Sequence, residues 1–190
     1  FSERFGWLQD KFGVSWQFMF TGPQSIFQRM IPFLMFTGAQ SGRAEEAIQF
    51  YTSIFPNSSV EQIQRYEKEE ESGQPGSVKF SEFKLHGQLF AAMDSDYDHG
   101  FTFNEAISFV VNCETQEEID YYWEKLSADP EAEMCGWLKD RFGVSWQIVP
   151  TIMHEMQQTK DASRLARVTE AFLKMKKFDI AALQRVYASG

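Results

Sequence analysis

Twelve residues of this chain occur twice. Gly6-Trp7-Leu8-Gln9-Asp10-Lys11-Phe12-Gly13-Val14-Ser15-Trp16-Gln17 returns 130 positions later as Gly136-Trp137-Leu138-Lys139-Asp140-Arg141-Phe142-Gly143-Val144-Ser145-Trp146-Gln147. The copies differ at two positions, Gln9 against Lys139 and Lys11 against Arg141. Identity this dense is left by duplication, so the chain carries parts of more than one copy of a unit. Each copy reads as a hairpin: an apolar strand, a turn at Asp-Lys/Arg-Phe-Gly, and a second, alternating strand. Two strands alone make little core in water. Residues 1–27 are therefore expected to be the closing hairpin of an earlier, incomplete module plus a linker. Phe1 opens in mid-pattern, which suggests a trimmed N-terminus.

After Gly22 and Pro23 a new unit begins. Ile31 to Thr37 reads as a strand, and Arg43 to Phe55 as a helix. Ala44, Ala47, Ile48, Tyr51, Ile54 and Phe55 recur there at helical spacing before Pro56-Asn57 stops it. Strands are expected near Ser59–Tyr66, Ser77–Leu85 and Gln88–Met93, with His86-Gly87 as the tight turn between the last two. The order then repeats. Ala106 to Asn112 is a strand, and Thr115 with Glu118 forms a capping box for the next helix. Ile119, Tyr122, Trp123 and Leu126 supply that helix's apolar face. Short strands near Glu133–Cys135, Gly136–Asp140 and Val144–Val149 close the second unit. Beyond Thr151 the pattern turns helical, with Asp161 and Asp179 as caps. The modules are thus 28–96 and 104–151, together one domain over 28–151, and 152–190 is a helical tail packing on it.

Composition narrows the function. With 190 residues the chain has room for one domain and a fragment. A net charge of −9 would repel a polyanion, so no nucleic-acid partner is expected. The densest charge run, Glu67 to Glu71, reads as a solvated loop. No apolar run is long enough to span a membrane. Cys113 and Cys135 are too few for a disulfide framework, and a reducing cytoplasm is the expected location.

Ile31–Phe36, Ala44–Tyr51, Ala106–Glu118, Cys135–Gln147 and Met175–Leu183, in that order, resemble the PhnB-like branch of the vicinal-oxygen-chelate superfamily. This is the glyoxalase and bleomycin-resistance group, and the branch carries the label 3-demethylubiquinone-9 3-methyltransferase domain. The stretch Gly38 to Gly42 departs from it by a few extra residues. The resemblance implies an α+β fold, paired βαβββ modules forming a curved mixed sheet around a pocket, with a C-terminal helical tail. The leading hairpin is expected either to add to an edge of its own module or to complete the sheet of a second chain; the second, a homodimer, is favoured, and the family's habit of pairing modules edge to edge points the same way. Metal-using members draw four ligands, His or Glu, from inward-facing strand positions. On this chain those positions fall at Pro32, near Ala91, at Ala106 and at Gln147. Proline and alanine offer no donor atom, and glutamine is a weak neutral ligand. No metal and no cofactor are therefore expected, unless a shifted register brings in Asp94. His86, His99 and His154 sit in a turn, a loop and a helix start, without paired spacing.

Strand alternation adds a reading of the pocket. Trp146 and Ile148 oppose Ser145, Gln147 and Val149; Phe109 and Val111 oppose Ser108 and Val110. The lighter faces would line a cavity, joined by Pro32, Leu34, Phe36, Leu89, Ala91 and Met93. Phe36, Met93, Ser108, Ser145 and Gln147 are the expected ligand-binding residues, and no catalytic residue can be named. A small-molecule ligand, apolar or aromatic, fits such a wall. The leading expectation is a metal-free binding module. Another is an enzyme of the same superfamily (a lyase, isomerase, dioxygenase or transferase), with Ser108 and Gln147 orienting substrate and Asp94 as base. The methyltransferase label is discounted, because no Gly-x-Gly turn is present to approach a cofactor.

Overall fold

A computed structural model describes residues 4–20, 22, 28–67 and 72–189. Residues 68–71 of the acidic run, the first residues of the leading hairpin and most of the linker, Pro23 included, lie outside the described residues. The chain divides into two compact units, residues 1–32 and 33–190.

In the first unit, β1 (Phe5–Gln9) and β2 (Ser15–Met19) pair antiparallel, with Phe5 opposite Met19 and Gln9 opposite Ser15. Asp10 closes the turn by accepting from the backbone N–H groups of Phe12 and Val14 at 2.8 and 3.0 Å. Gly13 takes φ +88°, which a side chain would resist.

The second unit begins with β3 (Phe33–Phe36), α1 (Ala44–Ile54), β4 (Ser59–Arg65), β5 (Val78–Leu85) and β6 (Gln88–Asp94). It continues with β7 (Ser108–Cys113), α2 (Gln116–Leu126), β8 (Trp137–Lys139) and β9 (Ser145–Pro150), and ends in α3 (Ile152–Gln157), α4 (Ala162–Phe172) and α5 (Ile180–Ala188). The strands form two sheets, ordered β3-β6-β5-β4 and β7-β9-β8. In each sheet the first strand runs parallel to its neighbour and the remaining pairs are antiparallel, so the second sheet repeats the first in shorter form.

The first of the three closing strands, expected at Glu133–Cys135, is replaced by a reversal. Met134 and Trp137 exchange backbone hydrogen bonds at 3.1 and 2.8 Å around Cys135 and Gly136, both at positive φ. Two successive positive φ values are the geometry of a tight hairpin turn rather than a strand. A Cβ on Gly136 would lie 2.3 Å from the Phe178 ring, so the tail packs against bare backbone there.

One hydrophobic cluster joins both sheets, α1, α2 and the tail. Phe36, Tyr51, Phe83, Phe142, Ile148, Val168 and Leu183 are all fully buried in it. Each such side chain contributes roughly 1.5–3 kcal/mol through removal from water. The modules meet through aromatic rings: Phe90 of β6 lies edge-on to Phe109 of β7 at 5.3 Å, and Phe55 stacks on Tyr122 at 5.2 Å.

The helices start where polar side chains can satisfy their free N–H groups. Arg43, at the α1 N-cap, gives no side-chain bond. Asp94, from the end of β6, takes that role: its Oδ1 accepts from Ala44 N at 3.0 Å and its Oδ2 from Val78 N at 2.9 Å. Thr115 caps α2 by accepting from Glu118 N, while the Glu118 carboxylate reaches back to Glu114 N. Asp161 and Asp179 cap α4 and α5 as their positions predict.

Candidate functional site

Each sheet turns one face to the shared core. On the second sheet these residues are Phe109, Val111, Trp146 and Ile148, which leaves Ser108, Val110 and Gln147 on the other face. Ser108 lies opposite Ser145 and Val110 opposite Gln147 across the parallel pair. Gln147 Nε2 donates to Ser108 Oγ at 2.8 Å. Ser145, two residues before Gln147 and 2% exposed, has no hydrogen-bond partner for its hydroxyl among the described residues. Val110 stands 53% exposed beside this polar group. Three of the five expected site residues, Ser108, Ser145 and Gln147, therefore gather on one sheet face.

The assignment of β3 needs correction. Leu34 and Phe36 were expected on the cavity side, but both belong to the core, and Phe36 is fully buried against the rings of Phe103 and Phe142. Met35, not Phe36, lies opposite Met93, while Phe36 lies opposite Asp94. Phe36 and Met93 thus occupy opposite faces and cannot line one wall. The physical reason is Asp94: its carboxylate must reach the N-terminus of α1, which fixes its strand position on the helix side.

Asp94 is equally unavailable as a base or metal ligand. It is 1% exposed and both oxygens accept backbone hydrogen bonds. Burial pushes its carboxyl above the ordinary Asp range, against the pull of those bonds. Asp140, on the turn between β8 and β9, follows the same logic. Burial raises it, while Trp146, Tyr51 and two backbone N–H groups hold it as an acceptor. Burial pushes the Cys113 thiol up to about 12, with Glu118 adding to the effect, so it stays protonated at neutral pH and is no nucleophile.

The four positions that would hold a metal do not fit one. Pro32 precedes β3, Ala91 lies in β6, Ala106 sits in a turn ahead of β7, and Gln147 is engaged with Ser108. Among the described residues no group of three or more His, Cys, Asp or Glu could hold an ion. His99 Nε2 meets Ser95 Oγ, and His154 of α3 meets Gln158 just past that helix. Hollows lie elsewhere, one of about 140 Å³ between α3 and α5, lined by Ile152, Glu155, Met156, Gln184 and Tyr187.

The model of the family described as 3-demethylubiquinone-9 3-methyltransferase matches residues 28–149, well over half the chain. The chain belongs to that family. A Bacillus cereus protein of the family, named PhnB protein, is 41% identical; the alignment covers 65% of this chain and 100% of that one, with a TM-score of 0.56. The fosfomycin resistance protein FosX from Listeria monocytogenes is 14% identical over 69% of this chain and 98% of its own, with a TM-score of 0.43. Protein PA1353 from Pseudomonas aeruginosa is 18% identical over 65% of this chain and 97% of its own, at 0.48. No curated protein matches. The PhnB-like family and the α+β fold anticipated from the motifs are thereby established. The family match starts at residue 28 and leaves the leading hairpin outside it.

Proposed function

We propose that this PhnB-like chain binds a small, neutral, largely apolar molecule on the open face of the β7-β9-β8 sheet, without a metal ion. The observation that carries this reading is the Ser145 hydroxyl, buried without a partner beside the Ser108–Gln147 hydrogen bond. A buried polar group without a partner costs roughly 1–3 kcal/mol, and a ligand that supplies the missing hydrogen bond recovers that cost. Lys139, opposite Ser145 across β8 and β9, is already paired with Glu105, so its charge is not left to favour an anion. Flat molecules carrying an amide, hydroxyl or carbonyl meet these demands. The family name suggests methyl transfer, but the chain has no Gly-x-Gly turn for a cofactor.

A second copy belongs to the same proposal. Val110, exposed in the middle of the face, needs an apolar cover that a symmetric partner would supply.

Saturation-transfer NMR with benzamide and benzoate as probes tests the reading. Benzamide should bind in the millimolar range expected of a fragment, and benzoate should not. Gln147→Ala should abolish the benzamide signal while the protein stays folded. Equal signals from both probes, or binding indifferent to Gln147→Ala, would refute it.

A further inference from the structure

The two copies of the duplicated hairpin hold their turns identically. In the second, Asp140 Oδ1 accepts from Phe142 N and Val144 N at 2.9 and 3.0 Å, and Oδ2 accepts from Trp146 Nε1 at 2.8 Å. In the first, Asp10 accepts from Phe12 N, Val14 N and Trp16 Nε1 at 2.8, 3.0 and 3.0 Å. What differs is the cover. Asp140 also receives the Tyr51 hydroxyl from α1 at 2.7 Å, and the Phe142 ring sits against the rings of Phe50 and Tyr51. Among the described residues no hydroxyl reaches Asp10. Phe142 is fully buried while Phe12 is 79% exposed, and Trp146 is 2% exposed against 36% for Trp16.

We propose that the hairpin Phe5–Met19 is a docking element for a βα half-module whose helix presents a Phe-Tyr pair, as α1 presents Phe50-Tyr51. The partner's tyrosine donates to Asp10 Oδ2, and its two rings bracket Phe12. The second hairpin, in this same chain, supplies the template for every one of those contacts. An intact second copy is not the occupant, because its own Tyr51 is already held by Asp140. To receive the hairpin it would have to give up an equivalent one and gain nothing.

Two experiments on the full chain test this. The variant K139Q/R141K rewrites residues 136–147 as residues 6–17. If the leading hairpin is competent to cover a Phe-Tyr helix, this variant should melt within about 4 °C of wild type, the scale of a 1 kcal/mol change or less. A larger fall would overturn the proposal. In the second, full chains carrying D140A/F142A, whose Tyr51 is released, are mixed with wild-type chains and followed by sedimentation velocity. A one-to-one complex is expected, lost when the wild-type partner carries D10A/F12A, and weakened roughly tenfold by Tyr51→Phe in the acceptor, as for one hydrogen bond to a charged group. No complex with a folded acceptor, or one indifferent to D10A/F12A, would overturn the proposal. So would a wild-type homodimer that D10A/F12A abolishes, since the occupant would then be an intact second copy. Should the acceptor fail to fold, K139Q/R141K decides alone.

Discussion

Asp140 is the residue on which the joining of the two modules turns. Its carboxylate collects Tyr51 from the first module and Trp146, Phe142 and Val144 from the second. Asp140→Asn sets an amide N–H₂ against the indole donor, at an expected cost of about 1–3 kcal/mol. The pH dependence follows from burial. A carboxyl whose folded value is raised above its ordinary 3.8 takes up a proton more readily when folded. The wild type therefore gains on the uncharged variant as pH falls through the folded value toward the unfolded one, and the difference is flat above the folded value. Melting both proteins from pH 3 to 7, a range spanning the carboxyl values, checks this. A gap that widens with rising pH would mean that the four hydrogen bonds outweigh desolvation. The sequence shows Asp140 only as a turn residue; its role at the junction depends on Tyr51, 89 positions away.

At the scale of elements, most of the fold is readable in the sequence. The helices capped by Thr115, Asp161 and Asp179 carry clear cap chemistry, and the strands at 78–85 and 88–94 are set off by the tight turn at His86-Gly87. The face of β3 has no such marker. Phe33-Leu34-Met35-Phe36 is apolar throughout, so alternation offers no parity, and one step of register moved Phe36 from wall to core. Only Asp94, placed opposite Phe36 and bonded to α1, fixes it. Ser108 and Gln147 are readable because each adjoins a bulky ring of the opposite face, Phe109 and Trp146, whereas the missing partner of Ser145 is visible only in three dimensions. Asp94→Ala should uncap α1 and free Val78 N together, at a cost of about 3 kcal/mol or more from two charge-assisted hydrogen bonds. Urea unfolding measures it; a loss below about 1 kcal/mol would show that Arg43 or solvent caps the helix unaided.

For the whole molecule, a shared core leaves Ser108 and Gln147, with the buried Ser145, on the far face of the second sheet, and Pro32, Ala91 and Ala106 offer no metal donor. No helix among the described residues is long and apolar enough to cross a membrane. The central claim, metal-free capture of a small neutral molecule, is tested most directly by native mass spectrometry of the freshly purified full chain, with elemental analysis of the same sample. The account predicts a dimer carrying a small organic mass that is lost with Gln147→Ala, and no stoichiometric divalent metal. One firmly bound Zn, Mn, Fe or Ni per chain would contradict it.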